Sequence, residues 1–163
     1  MRALNGRIVE GEQIDQLVHP GRPIPPGSTQ VHGISDDMVA DAPRIDMAGA
    51  ARHEFSHDAV LVAHNPPFDM VFLHRMDHDW PHPVLDTVLL SAVLFGTTEQ
   101  HSLDALCDRF GVVIPPEERH MALGDARATA EVLCHMLPIL AARGFKTLEQ
   151  VQSESRTHRR LHA

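Results

Sequence analysis

VLVAHNPPFDMVFL, Val60 to Leu73, decides how the chain is read. Val60 to His64 is a short continuous apolar run, which fits a strand buried on both faces. Asn65 can cap the helix that follows, and Pro66 suits its first position, where a missing N–H goes unused. That helix should run to about Met76, with one acid, Asp69, in its first oily turn. The carboxylate is either a helix-start acid favoured by the dipole or a group with chemistry to perform.

Upstream, RALNGRIV and QIDQLVHP read as strands of a hairpin, with turn signals at Asn5-Gly6 and Glu10-Gly11. Which of the two is the turn and which a bulge stays open. Pro20 to Ser28 reads as a proline-rich loop without helix or central strand. A short helix is expected from Ser35, with Asp36 and Asp37 in its first turn, and another from Ile45 to Ser56. Downstream, Asp86 can cap a helix over Thr87–Phe95, and Ser102 one over Leu103–Phe110 that Gly111 ends. The longest helix is expected from Leu123 to Arg143, closed by Gly144. The segment from Thr147 should be helical and then basic. Strands mixed with several helices give an α/β domain. Residues 1–150 form that domain, and residues 151–163 are expected to be a basic C-terminal tail that frays.

The chain's 163 residues suit one domain with a proper core. Its net charge of −8 argues against a protein that coats long nucleic acid by neutralising phosphates, but not against one that grips only a strand end. Neither Cys107 nor Cys134 belongs to a C-x-x-C pair, so both read as buried thiols of a reducing compartment. MRALNGRIVEGE holds no apolar stretch of the signal-peptide kind. TVLLSAVLFG, the longest oily run, is about half of a membrane span. A soluble, cytoplasmic protein is expected.

A second stretch with chemistry in it is RHMALGDARATAEV, Arg119 to Val132. His120 stands just before a helix and Asp125 lies in or near its first turn. A spacing of five puts the histidine on the loop and the acid on the helix, which can aim both at one point. Singly, His120 reads as a surface histidine and Asp125 as a cap. Gly124 beside Asp125 costs helix propensity, about 1 kcal/mol against Ala, and makes sense where backbone or ligand must come close.

Together these residues carry a family resemblance. VLVAHNPPFDMVFL resembles the second signature of the DEDDh 3′→5′ exonucleases, among them proofreading epsilon subunits of bacterial DNA polymerase III. HMALGDARATAEVL resembles the third, a His followed five residues later by Asp. QLVHPGRPIPPGSTQVHGISDDMVADAP, VLDTVLLSAVL and HSLDALCDRFGV are similar to the flanking family segments. The resemblance covers Arg7 to about Leu148.

It implies a ribonuclease-H-like fold with a mixed sheet flanked by helices, and a site for two Mg²⁺ or Mn²⁺ ions. Hard cations want oxygen ligands, and two of them about 4 Å apart can stabilise both attacking water and leaving 3′ oxygen. By position, Asp69 and Asp125 would be metal ligands and His120 the general base. His32, Asn65 and Phe68 would lie near the terminal nucleotide. Phe68 would pack on a base or sugar, or simply in the core. The expected substrate is the 3′ end of single-stranded or frayed DNA, with oligoribonucleotides second. A polymerase subunit or a second copy of the chain is an expected partner.

The family's first signature, Asp-x-Glu on a central first strand, has no counterpart before the second; Glu10-Gly11-Glu12 is in the wrong place. The expectation is a sheet without that strand, half of the metal cage, and a truncated or internally started product whose activity is open. A non-catalytic relic that binds nucleic acid or a polymerase partner is the alternative. His57-Asp58 and His78-Asp79 prompt a His-Asp phosphohydrolase reading, but the strand VLVAH and the leading hairpin disfavour an all-helical bundle.

Overall fold

The computed structural model describes residues 1–76, 82–118 and 121–162. His78 and Asp79 lie outside them.

Asn5 and Gly6 both have positive φ, 52° and 72°, the conformation that closes a two-residue hairpin. They join β1 (Ala3–Leu4) to β2 (Arg7–Ile8), with Ala3 opposite Ile8 and Leu4 opposite Arg7. Asn5-Gly6 is therefore the turn. QIDQLVHP forms no second strand; only His19 bridges, to Arg44. Ile14 and Leu17 both stay exposed, so the strand expected there has no face to bury. Arg2 ties the hairpin down, donating to Glu12 Oε2 and to the Phe55 carbonyl, each at 3.0 Å.

The proline-rich segment contains a helix after all. α1 (Pro26–His32) starts inside it, with proline in its first turn and Gly33 closing it at φ 74°. The ring's fixed φ suits an N-terminal turn. α2 (Asp36–Val39) and α3 (Ile45–Ser56) follow as expected. The Ser35 side chain does not cap α2; instead Asp36 Oδ1 accepts from the Ile24 N–H at 2.9 Å.

β3 (Leu61–Ala63) pairs in parallel with β4 (Val84–Asp86), Val62 opposite Leu85. The strands flank α4 (Pro66–Met76) in sequence, and α4 packs on both. The described sheets are two separate pairs, one antiparallel and one parallel, rather than one mixed sheet. Among the described residues β4 is the only ladder partner of β3. β3 is accordingly half-buried along its length, where burial on both faces was expected.

The core lies downstream. α5 (Thr87–Phe95) begins at Asp86, and α6 (Leu103–Phe110) at Ser102, whose Oγ accepts from the Ala105 N–H. Pro116–Glu118 is a 3-10 turn before α7 (Ala122–Ala142). α8 (Leu148–Ser155) starts with a capping box between Thr147 and Gln150. Leu90, Leu106, Val132 and Met136 are fully buried where α5, α6 and α7 meet, and Leu85 and Val151 join them. Arg156–His162 does not fray: it forms 3-10 turns against α5 and α8. No described helix is long and apolar enough to cross a membrane.

Candidate active site at the corner between β3 and α4

The chain leaves β3 through a single left-handed residue, Asn65, at φ 64°. Asparagine tolerates that conformation better than most residues. Its side chain is exposed, so backbone rather than side chain shapes the corner. The Asn65 carbonyl accepts from the Phe68 N–H at 3.2 Å, and its N–H donates to Asp86 Oδ1 at 3.3 Å. The same oxygen accepts from the Val88 N–H at 2.8 Å, capping α5. A second link runs beside it, His64 Nδ1 lying 2.9 Å from Thr87 Oγ1. The Thr87 hydroxyl also reaches the Ala63 carbonyl, at 3.4 Å. The C-terminal ends of β3 and β4 are thus laced together by side chains.

One turn into α4, Asp69 remains accessible to solvent. Partial burial pushes its pKa up, and its own backbone N–H opposes that shift. Beside it Phe68 is 70% exposed, which removes core packing as its role. Phe68 forms a tilted pair with Phe72, ring centroids 5.8 Å apart, and the Arg75 guanidinium lies 6.0 Å from the Phe72 ring. Together with exposed Val71 they make an apolar stripe on one side of α4.

Asp125 occupies the first turn of α7, half-buried, its N–H donating to the Met121 carbonyl at 3.0 Å. α7 packs against β3, the strand that leads to Asp69. Gly124 explains itself here. A Cβ on it would come within 2.2 Å of the Glu118 carbonyl oxygen, which itself accepts from the Met121 N–H at 3.2 Å. It is backbone that comes close, and the 3-10 turn lies directly on the start of α7. His120 lies outside the described residues. His32 ends α1, its Nδ1 accepting from the Ile34 N–H, and α1 has no principal packing contact with α4, β3 or α7 among the described residues.

Asp69 and Asp125 both offer carboxylate oxygen, the donor type that hard divalent cations take. Among the described residues no cluster of three or more His, Cys, Asp or Glu side chains could hold a metal. These two acids would therefore supply part of a coordination sphere. Sequence reasoning missed Phe72, His64 and Thr87, and saw Asp86 only as a helix cap. Phe72 was legible, four residues after Phe68 on one helix face. The links across the strand ends were not, because they join residues more than 20 apart in sequence.

Residues 2–133 match the family model described as Exonuclease (RNase_T). The chain belongs to the exonuclease family. It is 56% identical to a DNA polymerase III subunit epsilon-like protein of Rhodobacter capsulatus over 99% of its length, which is 23% of that relative. It is 37% identical to a PolC-type DNA polymerase III of Streptococcus pneumoniae over 74% of its length, 8% of that relative. The chain thus spans less than a quarter of both curated relatives. Exonuclease X, solved in complex with 5′ overhanging duplex DNA, superposes with a TM-score of 0.74 at 29% identity, covering 94% of this chain and 86% of that one. The architecture of the family member is accordingly the ribonuclease-H-like α/β fold that the two signatures implied.

Proposed function

We propose that this chain is the exonuclease domain of a protein that shortens DNA from the 3′ end, one nucleoside monophosphate at a time, in proofreading or repair in the cytoplasm. The observation that carries the reading is an acid in the first turn of each of two helices, α4 and α7, both packed on β3, with an exposed aromatic beside one of them. Asp69 and Asp125 would hold Mg²⁺ or Mn²⁺. The ions, when bound, supply Lewis acidity at the phosphate. Water attacks phosphorus, the bond from phosphorus to the 3′ oxygen breaks, and that oxygen leaves as the new 3′ hydroxyl. His120 takes the proton from the water. Phe68, with Phe72, gives the terminal base a face to stack on. Asn65 and His32 contact the terminal nucleotide. Oligoribonucleotides are the second substrate class. A polymerase subunit or a second copy of the chain is the partner.

The alternative reading is a module that binds nucleic-acid ends or a polymerase without turnover. A 5′-labelled single-stranded DNA separates the two. Metal-dependent shortening from the 3′ end that disappears in Asp125→Ala supports the exonuclease. A folded chain that binds the DNA and leaves it intact supports the binding module.

A further inference from the structure

We propose that Asp86 is a positioning residue: its buried carboxylate holds the corner from which Asp69 is presented. The inference rests on Asp69 being a metal ligand, as in the reading above.

Asp86 is only 8% exposed. Burying a carboxylate is unfavourable unless hydrogen bonds compensate it. One bond, to the Val88 N–H, is an ordinary helix cap. A second, to the Asn65 N–H, crosses from β4 to a residue two past the end of β3. Asn65 is the left-handed residue, and its carbonyl in turn accepts from the Phe68 N–H. A chain of bonds therefore runs from Asp86 through Asn65 to the residue preceding Asp69. The link between Thr87 and His64 restrains the same corner from the adjacent position. Without Asp86 the start of α4 would be free to tilt against β3, and Asp69 would move with it. Loss of groups that orient metal ligands characteristically weakens metal binding about 10- to 100-fold.

Asp86→Ser separates the two roles. Serine is as good a helix cap as aspartate, but its hydroxyl is one atom too short to bridge to Asn65. Ser102→Ala, which removes the cap of α6, controls for lost helix stability away from the corner. Mn²⁺ binding without DNA is measured by calorimetry, with amide exchange at Asn65 and the melting temperature alongside. The expected result is an Mn²⁺ dissociation constant raised about 10-fold or more in Asp86→Ser, with faster exchange at Asn65. Ser102→Ala should match the parent in both. Unchanged Mn²⁺ affinity in Asp86→Ser, with affinity lost in Asp69→Asn, overturns the positioning role and leaves the ligand reading standing. Parent-like affinity in Asp69→Asn, or a parent that binds no Mn²⁺, overturns the ligand reading and the positioning role with it. Should Asp86→Ser fail to fold, Asp86→Asn keeps the size and one acceptor oxygen but removes the charge. Because the asparagine side-chain oxygen can still accept from both N–H groups, Mn²⁺ binding and Asn65 exchange close to the parent's are expected, and Mn²⁺ binding lost with Asn65 exchange unchanged overturns the positioning role.

Discussion

Partial burial raises the pKa of Asp69, against its own backbone N–H, so the folded protein holds that proton more tightly than the unfolded chain does. Stability from such a group is fully present below the unfolded pKa and is lost as pH rises through the folded one. At pH 7 the ionised Asp69 is therefore a liability that a bound cation would relieve. Asp69→Asn should melt at or above the parent's temperature at pH 7 in chelator, with the difference vanishing near pH 3, as calorimetry would show. The same variant should lose about 100-fold or more of any nuclease activity. Phe68→Ala should likewise spare stability: because the ring is 70% exposed, the melting temperature should hold. Binding of single-stranded DNA should weaken by about 1–3 kcal/mol, the worth of one stacked base, read as a rise in KM. His101 titrates with the reverse sign. Burial, then the nearby Arg109 and His158, lower its pKa, while the Gly96 backbone and Glu99 oppose the shift. Its Nδ1 lies 2.8 Å from the buried Ser91 hydroxyl. Stability from His101 is present above the unfolded value of about 6.5 and is lost as pH falls through the window below it. His101→Gln should flatten that limb of a plot of melting temperature against pH.

At the scale of elements, local signals were legible and distant ones were not. α3, α4, α5 and α6 run over the expected residues, and α5 and α6 carry the expected side-chain caps, Asp86 and Ser102, because a cap acts within one turn. α1 was hidden because Pro25 and Pro26 read as breakers, although proline is at home in a first helical turn. QIDQLVHP looked like a strand because alternation alone cannot reveal that no partner covers it. Of the candidate site, motif spacing singles out the two acids, while the lacing by Asp86 and Thr87 exists only once β3 and β4 lie side by side. Gly124 was legible in kind: it breaks helix propensity without local reason, and the reason is the Glu118 carbonyl. Gly124→Ala sets two effects against each other. Alanine gains about 1 kcal/mol of helix propensity, but its methyl would overlap backbone that has little room to yield, typically about 1–3 kcal/mol. The clash should win, lowering the melting temperature and disturbing the start of α7, where Asp125 sits.

Across the whole molecule, burial is lopsided. Among the described residues, the buried members of the main core cluster all lie between Leu85 and Val151, while upstream of β4 the buried aliphatic side chains are Val39 and Ala48. α4 carries one buried residue, Pro66, and exposes Phe68, Val71 and Phe72. Segments with few buried apolar contacts open at lower free energy than the core. Amide exchange should therefore be fastest in α1 and α4 and slowest in α5 and the middle of α7; uniform protection along the chain would contradict this. The seam between the two regions passes between Asp69 and Asp125. In a cell, a protease that meets the native protein would take the Asp69 side first. It would leave behind a remnant that keeps the core and Asp125 and has lost Asp69.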